Sequence, residues 1–252
     1  MNRMSWWRHP VWGAVVLLLA GCATTGEYAD PRDPLEDFNR AMFSFNDGLD
    51  RAIIKPLAKG YQWIMPDPLD RGVTNFFANL SEVNSIINNA LQFKLKRAAG
   101  SAGRLAINST IGILGFIDVA SDMDLPRYRE DFGQTFGAWG IGTGPYLVLP
   151  LLGPSSGRDL VGLVLDWNVA PVKWATDSDA VQYGLLALWF IDRRADLLGA
   201  SRILEQAALD PYAFMRDAYL QKRLNDVYDG NPPLDEFDQE LEQPLDSDDT
   251  LN

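Results

Sequence analysis

The sequence predicts an all-α protein, a single domain of amphipathic helices, and three observations carry that prediction. Between residues 33 and 228 apolar side chains recur at steps of three and four, the spacing of one helix face. No convincing stretch alternates with the period of two that marks a half-buried strand. There is one cysteine, so neither a disulfide framework nor a cysteine zinc site holds the body together. Its roughly 195 residues can bury one core.

Residues 1–21 read as an export signal. Arg3 and Arg8 form a basic start, and Val11 to Ala20 an apolar core of about ten residues. That is too short for the roughly 20 residues a membrane-crossing helix needs, so the segment is expected to be removed. It closes on Leu19-Ala20-Gly21-Cys22, which resembles the bacterial lipobox, and Cys22 is therefore expected to become the acylated N-terminus. Two or three acyl chains anchor stably where one is marginal. Ala23 is not the Asp that the enteric sorting rule reads as inner-membrane retention, which favours the outer membrane. Residues 22–32 read as the lipidated end and its tether.

Taking Arg3 and Arg8 from the 22 basic residues leaves 20 against 34 acids, a balance of −14. Such a chain is ill suited to nucleic acid, which wants clustered positive charge. Nine of the acids fall within residues 229–252, with no base among them and with Pro232, Pro233 and Pro244, the composition of a disordered acidic tail.

The helical body opens at Asp33-Pro34-Leu35-Glu36, where Asp33 is expected to cap and Pro34 to occupy the first helical position. The stripe Leu35, Phe38, Met42, Phe45 and Leu49 follows. Pro66 and Pro68 separate it from a second helix over Leu69–Phe93. In residues 108–117, Gly112 and Gly115 signal close packing or a break. Helical patterns return over 159–167, 179–198, 201–209 and 210–228, the last with Pro211 just inside its start. Residues 132–157 are rich in Gly and Pro yet too apolar for an ordinary loop. No mature stretch reaches 18 uninterrupted apolar residues, so none is expected to span. Trp63, Trp139, Trp167, Trp174 and Trp189 exceed the needs of a small soluble core. Two readings stand: helices lying in one leaflet, or a soluble bundle held nearby by its acyl chains.

Catalysis finds little support. Gly153-Pro154-Ser155-Ser156-Gly157 fits the G-x-S-x-G elbow, but a serine nucleophile needs a base. The sole histidine, His9, lies in the signal segment. No catalytic residue, metal ligand set or cofactor site is expected. Glu130-Asp131 and Asp122-Asp124 read as loop charges.

Several blocks carry a family likeness. They include Asp33-Pro34-Leu35-Glu36-Asp37-Phe38-Asn39-Arg40, Phe43-Ser44-Phe45-Asn46, Asn75-Phe76-Phe77 and Asn108-Ser109-Thr110. Glu130-Asp131-Phe132-Gly133-Gln134-Thr135, Gly144-Pro145-Tyr146, Gly153-Pro154-Ser155, Arg158-Asp159 and Asp210-Pro211-Tyr212 complete the series. Together they resemble the MlaA (VacJ) family of outer-membrane phospholipid-transport lipoproteins. One departure is Phe93, where the family pattern leads us to expect Gly.

The resemblance implies a ring-like helical protein around an amphipathic channel, embedded in the inner leaflet of the outer membrane. Its implied partners are phospholipids, trimeric porins and a soluble periplasmic lipid carrier. The implied task is removal of phospholipids misplaced in the outer leaflet; the alternative is a porin-associated structural lipoprotein without transport. Matching to the family's polar helix marks Arg158, Asp159, Asp166 and Lys173 as channel-lining, and residues 121–129 as a gating loop.

Overall fold

The computed structural model describes residues 30–233. The signal segment, Cys22, the tether before residue 30 and the acidic tail beyond residue 233 lie outside the described residues.

Helix α1 runs Glu36–Leu49 and continues through a π-helical turn, Asp50–Ile54, into α2, Lys55–Ile64. Pro56 accounts for the wide turn: it has no N–H for the carbonyl four residues back and its ring crowds that carbonyl. Lys55 N–H instead reaches Asp50 O, five residues back. Met65, preceding Pro66, is extended, as the proline ring demands, and the helix stops there. The expected cap at Asp33 is not observed. The helix starts at Glu36 without a side-chain cap, and Asp33 is buried, accepting from Asn39 Nδ2 at 2.8 Å and from the Tyr212 hydroxyl.

Helix α3, Asp67–Leu91, and α4, Leu95–Thr110, form an antiparallel pair. They are joined by a Schellman turn, with Lys94 N–H to Asn89 O at 2.8 Å and Phe93 N–H to Ala90 O at 3.0 Å. Phe93 occupies the left-handed position, φ +59°, that glycine usually takes. Past α4, Gly115 at φ +93° lies against the Asn79 side chain, so the glycines mark both a break and a close approach. Short α5 (Val119–Asp122) and α6 (Phe132–Ala138) follow.

The structure then departs from the strand-free reading. β1, Tyr146–Leu149, pairs antiparallel with β2, Gly153–Ser156, Tyr146 facing Ser156 and Leu149 facing Gly153. Four residues each, one of them Gly-Pro-Ser-Ser, are too short and too polar to show alternation. The outer edge of β1 is completed by side chains of α1. Asn39 donates to Tyr146 O at 2.9 Å and accepts from Val148 N–H at 2.8 Å; Asn46 does the same for Leu149 O and Leu151 N–H. An exposed strand edge is thereby closed.

Helices α7 (Gly157–Val169), α8 (Pro171–Ala175), α9 (Asp179–Asp196), α10 (Leu198–Ala207) and α11 (Pro211–Val227) complete the chain. Packing runs in a closed circuit: α1 on β1, β2 on α11, α11 on α6, α6 on α3, α3 on α9, and α9 on α2. The start and end of the described chain meet where Arg216 pairs with Asp30 at 3.1 Å and Arg32 with Asp217 at 3.0 Å. The arrangement is ring-like and almost wholly helical, and among the described residues no helix is long and apolar enough to cross a membrane.

Burial is inverted relative to a water-soluble core. Asn39, Asn79, Glu82, Asn88, Asn89, Arg104 and Asn108 are buried, whereas the buried apolar residues among those described are few, most of them in two small clusters around Ala58–Ala195–Leu198 and Tyr146–Val148–Tyr212. On α1 the interior residue is Asn39, while Phe45 from the apolar stripe is exposed. All five tryptophans singled out in the sequence are exposed, Trp63 by 88% and Trp174 by 75%. Exposing so much apolar surface is costly in water and favourable against hydrocarbon.

Candidate lipid path and its ion-paired frame

An open cavity of about 500 Å³ is lined by α1 and its π turn, the β-hairpin turn, α9, α10 and α11. Its lining is amphipathic. Phe43, Ile54, Leu151, Leu152, Trp189, Phe190 and Met215 supply apolar surface, and Asp47, Asp50, Arg51, Arg193 and Arg194 supply charge. The charges are partly tied along the wall: Arg51 to Asp47 at 3.0 Å, and Arg194 to Asp50 through two contacts of 2.7 Å. A second, polar cavity of about 340 Å³ is lined by residues including Arg97, Arg127, Arg129, Glu130 and Asp229.

Behind these cavities stands a buried ionic frame. Arg223 of α11 donates to both Asp131 oxygens, at 2.7 and 2.9 Å, and to both Asp159 oxygens, at 2.9 and 3.0 Å. Tyr219 OH adds 2.6 Å to Asp159. Hydrogen bonds from Arg223 and Tyr219 overcome the cost of burial and hold the Asp159 carboxyl down at about 2; Asp131 is lowered the same way. Both aspartates sit at helix starts. Asp131 accepts from Gln134 N–H, capping α6, and Ser156 caps α7 by accepting from Asp159 N–H at 3.1 Å. Gly133 and Gly162 make the close approach of α6 and α7 feasible, since a Cβ on Gly162 would stand 2.4 Å from Gly133 N.

The four residues marked in the sequence separate in space. Arg158 and Asp159 touch at 3.1 Å and belong to this frame. Asp166, two turns further along α7, accepts from Asn84 Nδ2 at 3.2 Å and Phe132 N–H at 3.3 Å. Burial, reinforced by the negative charge of Asp131, pushes it up to about 7. Lys173 is exposed on α8 and bonds Asn168. None of the four lines either cavity.

Glu130 and Asp131, expected to be loop charges, are instead buried or ion-paired, Glu130 with Lys94 at 3.0 Å. Ser155 is buried in β2, with its Oγ 3.5 Å from the Ser156 carbonyl. Residues 121–129 are held rather than loose: Arg127 pairs with Glu82 at 3.1 Å and Asp118 at 3.2 Å, and Arg104 reaches Leu125 O. The cavity charges were not singled out from the sequence. Asp47 and Arg51 show the i,i+4 spacing of a helix pair, but nothing in sequence order joins Asp50 to Arg194.

The protein-family model described as MlaA lipoprotein matches residues 31–226. The chain belongs to that family. An "Intermembrane phospholipid transport system lipoprotein MlaA" of Haemophilus influenzae is 36% identical over 227 residues, 85% of this chain and 88% of the relative. Its namesake from Escherichia coli is 37% identical over 210 residues, covering 81% and 82%. A solved structure from work on the structural basis for maintenance of bacterial outer membrane lipid asymmetry superposes with TM-score 0.68 at 34% identity. It covers 79% of this chain and 99% of that one. The blocks that carry the MlaA likeness also carry the acids of the frame, Asp131 and Asp159, and the Asn39 that closes the β1 edge.

Proposed function

We propose that this chain is a non-enzymatic phospholipid conduit of the outer membrane. It takes phospholipids misplaced in the outer leaflet, passes them through its amphipathic cavity and hands them to a soluble periplasmic carrier, which maintains lipid asymmetry. The observation that carries the reading is the inversion of burial: an apolar, tryptophan-rich exterior around a polar frame and an amphipathic cavity. Such a body sits in one leaflet without a spanning helix. A zwitterionic or anionic headgroup meets charge along the wall rather than bare hydrocarbon, where unpaired polar groups cost several kcal/mol. The names of the MlaA relatives agree with it; an acyl anchor at Cys22 and a seat beside trimeric porins belong to the same proposal.

Of the residues assigned to the channel lining by resemblance, Asp166 and Lys173 lie outside both cavities and form no ion pair among the described residues, and we keep them as candidates for a stretch of the lipid path beyond those cavities. Arg158 and Asp159 spend their charge within the frame, and we assign them to bracing the wall.

The test is lipid analysis of the full chain purified in detergent, together with outer-leaflet phospholipid labelling in a null strain. Bound phospholipid and surface-exposed phospholipid in the null strain are expected. Intact asymmetry in the null strain overturns the reading, porin recovered without lipid marks a structural tether, and lysophospholipid release marks an enzyme. Cys22→Ser is expected to leave the protein folded but mislocalised on membrane fractionation.

A further inference from the structure

We propose that Arg129 and Arg193 together form a phosphodiester-binding station at the junction of the two cavities, through which a phospholipid headgroup passes. The inference rests on the conduit reading and adds the residues that recognise the cargo.

Arg193 projects from α9 into the lining of the amphipathic cavity, and Arg129 from the segment before α6 into the lining of the polar one. Each is fixed over α3 by its neighbour. Asp192 accepts from Thr74 Oγ1 at 3.3 Å, and Glu130 N–H donates to Ser85 Oγ at 3.4 Å. Thr74 and Ser85 are eleven positions apart, about three turns and roughly 16 Å, so they return to the same face of α3. The charge of Arg193 is felt at Arg129, which places the two guanidinium groups within electrostatic reach of one another along that face.

Both are unspent. Among the described residues neither is within ion-pair distance of a carboxylate, although nearly every other arginine of this region is. Arg51, Arg97, Arg104, Arg127, Arg194 and Arg223 each hold at least one acid. Glu82 faces Arg129 but is already taken by Arg104 and Arg127, and Asp196 feels Arg193 without pairing. Partial desolvation, then the charges of Arg127 and Arg193, hold the Arg129 guanidinium below its ordinary value. A bound anion would relieve the repulsion between these like charges. Arginine forks match a phosphodiester's oxygens bidentately. On one side lies apolar wall for acyl chains, on the other a polar cavity, so the station sits where a phospholipid changes from chain to headgroup. A free phosphate has the same chemistry, and the apolar wall argues for the lipid.

The experiment uses full-length protein in detergent and three probes: short-chain phosphatidylglycerol, the diacylglycerol with the same chains, and inorganic phosphate. Binding is read by tryptophan fluorescence, Trp189 being in the cavity wall. The wild type is expected to prefer phosphatidylglycerol over diacylglycerol by about tenfold or more. R129Q/R193Q is expected to lose that preference while binding diacylglycerol unchanged, and R129K/R193K to retain part of it. If the double glutamine variant fails to fold, the single variants R129Q and R193Q are each expected to lose part of the preference. An unchanged preference in R129Q/R193Q, or in both singles, overturns the arginine assignment while leaving the conduit reading intact. Inorganic phosphate binding as tightly as the phospholipid overturns the lipid as cargo of this station. Wild-type protein that takes up neither lipid overturns the conduit reading and this station with it.

Discussion

Glu82 of α3 and Arg104 of α4 pair at 3.0 Å with side chains 1% and 0% exposed, at the centre of the polar interior. Arg104 also holds Asp118 at 2.8 Å, and Arg127 completes a four-membered network by pairing with both acids. Within it the Asp118 carboxyl falls to about 2: burial raises it, but hydrogen bonds from Ser121 and Asn108 and the two arginine charges prevail. Removing one partner of such a pair strands a buried charge. Arg104→Met should therefore cost about 3–5 kcal/mol in detergent unfolding. E82M/R104M should cost less than R104M alone, because Asp118 keeps Arg127; equal or greater loss would refute the pairing as the source.

The approach of α6 to α7 yields a second expectation. Gly162→Ala places a Cβ 2.4 Å from backbone that cannot yield, and should lower stability by about 1–3 kcal/mol. Gly184→Ala in α9 meets nothing within 4 Å and should raise it by about 0.5–1 kcal/mol. Thermal unfolding of the two variants side by side decides this by the sign of each shift.

At the α3–α4 turn, Phe93 is 86% exposed and held at φ +59°. Little burial is lost on truncation, and the left-handed conformation costs a side chain about 1–2 kcal/mol that glycine does not pay. Phe93→Gly is expected to stabilise the protein by about 1 kcal/mol in the absence of membrane. Unchanged or lower stability would mean the ring is held by contacts beyond this chain.

Asp166 introduces a pH dependence of defined sign. Its folded value, about 7, lies above the ordinary 3.8, so the folded state binds the extra proton between those limits. The stability it contributes is complete below about pH 4 and is lost as pH rises through about 7. The difference in melting temperature between D166N and wild type should grow in favour of D166N across that window and level off above it. A pH-independent difference would show that Asp166 is ionised throughout.

Sequence alone determined the helical character, because amphipathic helices write their period into the chain. The starts of α3 and α11 follow from Pro68 and Asp210-Pro211, which are local signals, and Asp159 and Asp179 fall in the first turns of α7 and α9. It also determined the family, since the blocks around Asn39, Asp131 and Asp159 stand in order along the chain. Three things were decided only in three dimensions. The hairpin 146–156 depends on Asn39 and Asn46, more than 100 positions away, to close its edge. Asp33, a plausible cap by position, is drawn inward by Tyr212 and Arg216 at the other end of the chain. Which charges brace and which remain free is likewise nonlocal. Asp159 is neutralised by Arg223, whereas Arg193 finds no acid among the described residues, and sequence spacing carries no record of which side chains a ring brings face to face. Periodicity reports that a helix has two faces; only closure of the ring decides that the polar one turns inward.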